Sequence, residues 1–166
     1  LETYSNGHRG SGHNSMVSTH LFERARDIIL EYLGLNKGKY VVIFCTARRA
    51  EALKAQLEPG SYQSLSSQDI GLPLGVRALA VESKALPKGT PFQTGGGTAR
   101  LVSPGWTIWA DAPDKFEAGT PNIAGAIGLA TAIDYLTQFS WADLAAHEAA
   151  LLAHATEPLA AIPGLR

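Results

Sequence analysis

The sequence predicts an α/β protein, with helices layered on a sheet, and three observations predict it. Residues Tyr40 to Cys45, Tyr-Val-Val-Ile-Phe-Cys, form an unbroken β-branched and aromatic run of strand length, as expected of a strand buried on both faces. Arg48 to Leu57 then reads as helix and is closed by Pro59-Gly60, so 38–60 forms one strand-and-helix unit. Ahead of it, Ser15 to Gly34 sets Leu21, Ala25, Ile28, Ile29 and Tyr32 at helical spacing, with Glu23, Arg24, Asp27 and Glu31 mostly elsewhere on the wheel.

Each element follows from local chemistry. In the first helix Ser18 is a candidate N-cap and Gly34 a candidate C′ residue. The Tyr40–Cys45 strand is expected to sit centrally and to need a parallel neighbour. Gly75 to Glu82 supplies apolar strand material in Val76, Ala78, Leu79, Ala80 and Val81, and Gly95-Gly96-Gly97 marks a loop where backbone bends or approaches something closely. Trp106 to Ala110 reads as a short strand with Trp106, Ile108 and Ala110 on one face. The helix from about Asn122 to Thr137 carries so many Ile, Leu and Ala residues that it is either deeply buried or packed against another chain. A last helix, Trp141 to Ala161, is amphipathic, and Pro158 is expected to bend it or end it early.

Composition narrows the function classes. The 166 residues fit a single domain, 1–166, able to hide roughly 70% of its unfolded surface. With 45% hydrophobic and 17% charged residues the composition is that of a soluble globular protein, and 17 Gly with 9 Pro indicate turns. Lys plus Arg number 14 against 15 for Asp plus Glu, so no global field draws the chain to nucleic acid or membrane lipid. One cysteine, Cys45, excludes an internal disulfide framework and fits a cytoplasmic setting. No apolar run approaches the length of about 20 residues that spans a bilayer. The chain opens mid-pattern without Met, which is expected of a domain excised from a longer protein.

Chemistry-bearing residues concentrate in a few places. The run Phe116 to Gly128 delivers the Thr120 hydroxyl and a free backbone N–H to a helix start, where unpaired amides attract anions and phosphate is the natural guest. Gly119 and Thr120 serve equally as a plain turn and cap. The Arg48-Arg49 pair at a helix start is a second anion candidate, set against a solvated helix face. His8, His13 and His20 invite a metal reading but match no known ligand spacing. Cys45 reads as a small buried hydrophobe, with a reactive alternative if Arg48 and Arg49 lower its pKa. His147 and His154, seven apart, share one face of the last helix as surface residues.

Several of these runs resemble the class V aminotransferase branch of fold-type I pyridoxal-phosphate (PLP) enzymes, in particular the cysteine desulfurase and selenocysteine lyase group. Phe116-Glu117-Ala118-Gly119-Thr120 is similar to the family's F-E-x-G-T, a loop that crosses the dimer interface and touches the cofactor phosphate of the other subunit. Asn6-Gly7-His8-Arg9-Gly10 resembles N-x-H-R-G, Val41 to Glu51 resembles I-I-F-T-x-G-x-T-E, and Pro91 to Gly97 resembles P-x-x-G-G-G. Leu144 to Arg166 looks like the helix leading to the family's small C-terminal domain. On this resemblance Gly119, Thr120, His8 and Arg9 are the cofactor-binding candidates, and the fold is a three-layer (α/β/α) sheet like a shortened fold-type I large domain.

The departures are equally specific. Arg48 and Arg49 stand where the family offers small hydroxyl residues to the phosphate. A central block is missing after Leu57, with the aspartate and histidine that hold the coenzyme ring. In Ser66 to Val76, similar to S-x-H-K-x-x-G-P-x-G-x, Gln68 replaces the histidine and Asp69 the Schiff-base lysine. A carboxylate supplies no amine for an aldimine, and lysines 37, 39, 54, 84, 88 and 115 lie outside that segment. The expectation is a degenerate, non-catalytic domain that serves as a dimerisation or regulatory module, as a homodimer or paired with an intact cysteine desulfurase-like domain. No catalytic residue, no metal and no covalent cofactor are expected. The alternatives are a PLP-binding fragment of a family enzyme and a cofactor-free anion-binding module built on Arg48 and Arg49.

Overall fold

The β-branched run does form a strand, and the chain around it builds a three-layer unit. The computed structural model describes residues 12–165. In chain order these are α1 (His13–Tyr32), β1 (Tyr40–Cys45), α2 (Ala47–Lys54), β2 (Tyr62–Ser66), β3 (Arg77–Glu82), β4 (Ala99–Ser103), β5 (Trp106–Trp109), α3 (Ile123–Leu136) and α4 (Trp141–Ala160). The chain divides into two compact units, Leu1–Ile133 and Asp134–Arg166.

In the first unit β3 pairs antiparallel with both β1 and β2, in the order β1-β3-β2. Alternating side chains then separate two cores. Val42, Phe44, Leu65, Ala78 and Ala80 pack with Phe22, Ala25 and Ile29 of α1 and with Ile123, Ala126, Leu129 and Ile133 of α3. On the other face Ile43, Leu79 and Val81 meet Leu53, Leu57 and Phe116. Helices thus cover both faces of the sheet, which is why β1 reads as continuously apolar.

Two expectations about β1 are corrected. Its neighbour is antiparallel, and β3 rather than β1 is central. Both β1 and β2 run opposite to β3, so they are parallel to each other across a gap, as a strand–helix–strand crossover requires. The connection 67–76 sends β3 back into that gap.

The outer edge of β1 is closed by side chains instead of a strand. Arg26 of α1 donates to Val42 O at 2.6 Å, and Glu117 Oε1 accepts from Phe44 N–H at 2.6 Å. The same two side chains form a bidentate pair of 2.8 and 2.9 Å, with side-chain exposures of 7% and 6%. The Arg26 guanidinium also lies 4.6 Å from the Phe22 ring centroid and 5.1 Å from that of Phe44. Burial lowers the Arg26 pKa, but the hydrogen bonds and charges of Glu117 and of Glu23, 3.2 Å away, together outweigh it, and the net shift is upward.

Other boundaries moved for local reasons. Ser18 is buried inside α1, which begins at His13 behind Gly12, whereas Gly34 follows the helix with φ 67° as a C′ residue should. α2 stops at Lys54, before Leu57. Helix α4 runs through Pro158 to Ala160: proline lies in its last turn and ends it only two residues later. Strands β2 and β4 had no clear apolar alternation in the sequence; β2 reads Tyr-Gln-Ser-Leu-Ser and is buried only at its end. β4 and β5 form a separate antiparallel hairpin on which Leu101, Val102, Trp106 and Ile108 are exposed.

Candidate functional site

The loop that carries Gly119 and Thr120 is pinned at every residue before Thr120. Phe116 is buried in the core and Glu117 in its pair with Arg26. The Ala118 carbonyl accepts from Arg49 Nη1 at 2.7 Å, and a Cβ on Gly95 would come within 3.2 Å of the Ala118 side chain. The triple-glycine loop is therefore a close backbone approach, as its composition implied. Gly119 has φ 88°, which favours glycine, and its N–H donates to Gly96 O at 2.8 Å. That amide is committed inside the chain.

The start of α3 is satisfied internally as well. Asn122 Oδ1 accepts from Gly125 N–H at 2.9 Å, making Asn122 the cap, while its Nδ2 donates to Leu74 O at 2.9 Å. Ile123 N–H and Ala126 N–H reach Pro121 O and Asn122 O. Thr120, exposed and outside this cap, lies instead on the wall of another cavity.

That cavity measures about 660 Å³ and is lined by Thr46, Arg48, Arg49, Phe92, Gln93 and Thr120. Thr46 is the residue before α2, and its side chain makes no capping hydrogen bond. The structure thus joins two candidates that the sequence kept apart, the Gly-Thr turn and the arginine pair. Arg49 is anchored on Ala118 O, whereas Arg48 is exposed with no hydrogen-bond or ion-pair partner among the described residues. Glu51, on the same helix, pairs with Lys54 and Arg77, and Glu117, on the same loop as Thr120, pairs with Arg26.

Asp69 lies in a short turn after β2. Its Oδ2 accepts from Ser66 N–H at 2.7 Å while Ser66 Oγ accepts from Gln68 N–H at 3.2 Å, a reciprocal capping box. The adjoining cavity, of about 70 Å³, is lined by Ala47, Ser66, Ser67, Gln68, Gly75 and Arg77. Ser67 Oγ and Arg77 Nε are buried there without a partner among the described residues. Such a space accommodates water, whose share of liquid volume is about 30 Å³, but not a pyridine ring.

No lysine lines either cavity. Lys37 pairs with Asp27 and Glu31, Lys54 with Glu51 and Lys84 with Glu82, Lys115 donates to Pro87 O, and Lys39 and Lys88 are exposed. The described residues do not fit covalently held PLP: the amine position is a carboxylate already used to cap a turn.

The remaining candidates are placed as follows. His8 and Arg9 lie outside the described residues, with the rest of the Asn6–Gly10 segment. His13 and His20 are both on α1 and exposed, and no cluster of three metal-ligating side chains occurs among the described residues. His147 and His154 are exposed on α4. Burial, and next the charge of Glu117, push the Cys45 thiol from 9.0 to about 12, and Arg77, Arg49 and Lys54 offset part of this. Cys45 is accordingly a protonated core thiol.

Sequence reasoning missed the Arg26–Glu117 pair and the Phe92–Gln93 wall. A signal for the pair existed: Arg26 falls at i+4 from Phe22 and beside Ala25, inside the apolar stripe of α1, where a charge needs a buried partner.

Comparison with known proteins follows the same lines. The family model described as Aminotransferase class-V matches residues 61–166. The chain belongs to the class V aminotransferase family, on its cysteine desulfurase-like side. It is 44% identical over 94 residues to a probable cysteine desulfurase of Xylella fastidiosa (strain Temecula1), covering 57% of this chain and 23% of that protein. A cysteine desulfurase of Dickeya dadantii is 35% identical over 130 residues, 78% of this chain and 32% of the relative. The chain spans about a quarter of the length of the curated relatives it matches. Among solved structures, the cysteine desulfurase CsdA (S-sulfonic acid) from Escherichia coli superposes with a TM-score of 0.64 at 17% identity, covering 99% of this chain and 68% of that one. The apo cysteine desulfurase from Thermococcus onnurineus NA1 gives 0.63 at 18% identity, with 83% and 62% covered. These superpositions show the fold: a fragment of the fold-type I architecture.

Proposed function

We propose that this chain is a non-catalytic cysteine desulfurase-like module that acts by association, as a homodimer or with an intact domain of the same family. The observation that carries the reading is Asp69: the position that relatives give to the Schiff-base lysine holds a carboxylate whose oxygen caps its own turn. The competing reading, a family fragment that still engages PLP, requires an amine at the relatives' lysine position, where this chain has Asp69; Lys39 and Lys84 line a separate cavity of about 310 Å³ at the Tyr40–Glu82 end of the sheet. Incubation with PLP, borohydride reduction and peptide mass spectrometry should find no pyridoxyl adduct on any lysine above an unfolded control. A stoichiometric adduct at one lysine would overturn the proposal.

Association is supported by apolar surface rather than by α3. The apolarity of α3 is consumed in the core of the first unit. Exposed instead are Leu101, Val102, Trp106 and Ile108 on the β4–β5 hairpin, and α4 has no buried residue. Neighbouring apolar side chains left in water favour burial against a partner. Sedimentation velocity of the full chain should show a concentration-dependent dimer that Trp106→Glu weakens. A monomer at every concentration, with no complex on mixing with an intact desulfurase domain, would defeat the associative half of the reading.

A further inference from the structure

We propose that the free edge of β2 pairs antiparallel with β2 of a second copy of this chain, about a two-fold axis at Gln63, so that two three-stranded sheets join into one of six strands. This contact rests on the associative reading and gives it a register.

Hydrogen bonding along the sheet fixes which way each residue of β2 points. Glu82 N–H donates to Ser61 O at 2.9 Å, and Ser67 N–H donates to Val76 O at 3.1 Å. Alternation between these bonds turns the N–H and C=O of Gln63 and Leu65 towards β3, and those of Tyr62, Ser64 and Ser66 outward. Ser66 N–H is taken by Asp69 Oδ2. Tyr62 and Ser64 keep both backbone groups without a partner among the described residues. Gln63 and Ser64 are exposed, and residues 55–61, which link α2 to β2, are spent on turns and do not cover the edge.

Nothing on β2 blocks such pairing. Sheets protect open edges with charged side chains, proline or bulges; Tyr62-Gln63-Ser64-Leu65-Ser66 has none of these and meets β3 in unbroken register. Lys54, whose ammonium lies 5.9 Å from the Tyr62 ring centroid, has its charge offset by Glu51 at 3.0 Å. The far edge of the same sheet is sealed, since Arg26 and Glu117 occupy Val42 O and Phe44 N–H.

A second copy is the occupant these features select. With Gln63 opposite its own counterpart, Tyr62 of each copy faces Ser64 of the other, and the two pairs exchange N–H···O=C bonds that use both free groups of both residues. Moving the axis to Ser64 would set Tyr62 against Ser66, whose N–H is already committed, and leave the Tyr62 carbonyl stranded in the interface. An uncharged edge meets no like charge in its own copy. The contact is isologous and closes at two chains, because both outer edges of the joined sheet are then β1 edges sealed by Arg26 and Glu117.

Sedimentation velocity of the full chain over a concentration series, with variants of Gln63, tests the contact. Across the axis the two Gln63 Cα atoms should stand about 4.5 Å apart with their side chains adjacent. Gln63→Lys and Gln63→Glu should each weaken the dimer at least about tenfold through like-charge repulsion. The melting temperature of the dilute monomer should not change, because the side chain is exposed. Mixing the two variants in equal amounts should restore association as a heterodimer. Oxidised glutathione should link Gln63→Cys into a disulfide dimer at least about tenfold faster than Ser64→Cys, whose counterpart in this register is Tyr62; Cys45 is buried and stays out of the exchange. A dimer indifferent to both charged variants, or Ser64→Cys linking as fast as Gln63→Cys, would overturn the proposal; if Trp106→Glu dissolves that dimer, the associative reading stands. A wild-type chain that stays monomeric would overturn it too, and capture of an intact desulfurase domain by that monomer would leave the associative reading in place without this contact.

Discussion

Asp69, Cys45 and Arg48 look alike from the sequence, each a polar or reactive residue beside a family-like segment, yet their surroundings give them different fates. Asp69 is spent on geometry. Replacing it with Ala removes the bond to Ser66 N–H and should lower stability by about 0.5–2 kcal/mol, the usual cost of a lost cap, measured by urea unfolding. Asp69→Lys should cost a similar amount and produce no visible absorbance band with PLP, because residue 69 lines neither the 660 Å³ nor the 70 Å³ cavity. Cys45 is spent on packing. With its pKa raised from 9.0 to about 12, the folded state holds the proton more tightly than the unfolded chain. Its contribution to stability is full below pH 9 and is lost as pH rises from there towards 12. Wild type should therefore lose stability more steeply between pH 9 and 11 than Cys45→Ala does in parallel urea titrations. Iodoacetamide at pH 8 should alkylate Cys45 only in denaturant. Arg48 alone of the three remains uncommitted, exposed on the wall of the 660 Å³ cavity.

At the scale of elements, the decisive device is the closure of the β1 edge by Arg26 and Glu117. Glu117→Ala strips the buried guanidinium of its bidentate partner and leaves it only the half-exposed Glu23 carboxylate at 3.2 Å, so the expected loss is about 3 kcal/mol, the lower end of the usual cost of breaking a buried pair and still a large share of a typical domain's stability. Replacing both partners with Leu often recovers such losses, because an apolar pair needs no desolvation. Recovery should fail here, since Phe44 N–H and Val42 O would then be buried without partners, at about 1–3 kcal/mol each. A double-mutant cycle by chemical denaturation reads this directly, and full recovery would show that water satisfies the strand edge. The same elements explain what was legible. Strand β1 and helices α1 and α3 were readable because their apolar spacing reports burial within one element. The antiparallel order and the edge pair were not, because they depend on residues 16 and 91 positions apart in the chain. Gly119 and Arg49 were each noticed, but the Ala118 carbonyl that ties them together carries no side-chain signature. The 3-10 turn Ser67–Ile70 was invisible for a related reason: its capping box needs Asp three residues after Ser66, and the segment was read against a lysine instead.

At the scale of the whole chain, stability and surface are unevenly divided. Both buried clusters lie within Leu1–Ile133, and every described residue of α4 is exposed or half-exposed. Helix α4 carries Trp141, Leu151, Leu152 and Leu159 in water, so it has little of the apolar packing from which most helical stability in proteins comes. Local opening should therefore begin there, because regions with few buried contacts sample the low end of the stability range. Hydrogen exchange should show α4 amides exchanging well before those of β1 and β3. A chain ended after Gln138 should still unfold cooperatively, with a melting temperature within about 4 °C of the full chain, the shift that about 1 kcal/mol produces at this size. If association in fact covers α4, protein concentration becomes the controlling variable: exchange protection of α4 should rise as the chain is concentrated, while β1 and β3 stay unchanged. Protection of α4 that is high and independent of concentration would instead mean that the helix is held within the single chain, and the apolar surface proposed for association would shrink to the β4–β5 hairpin.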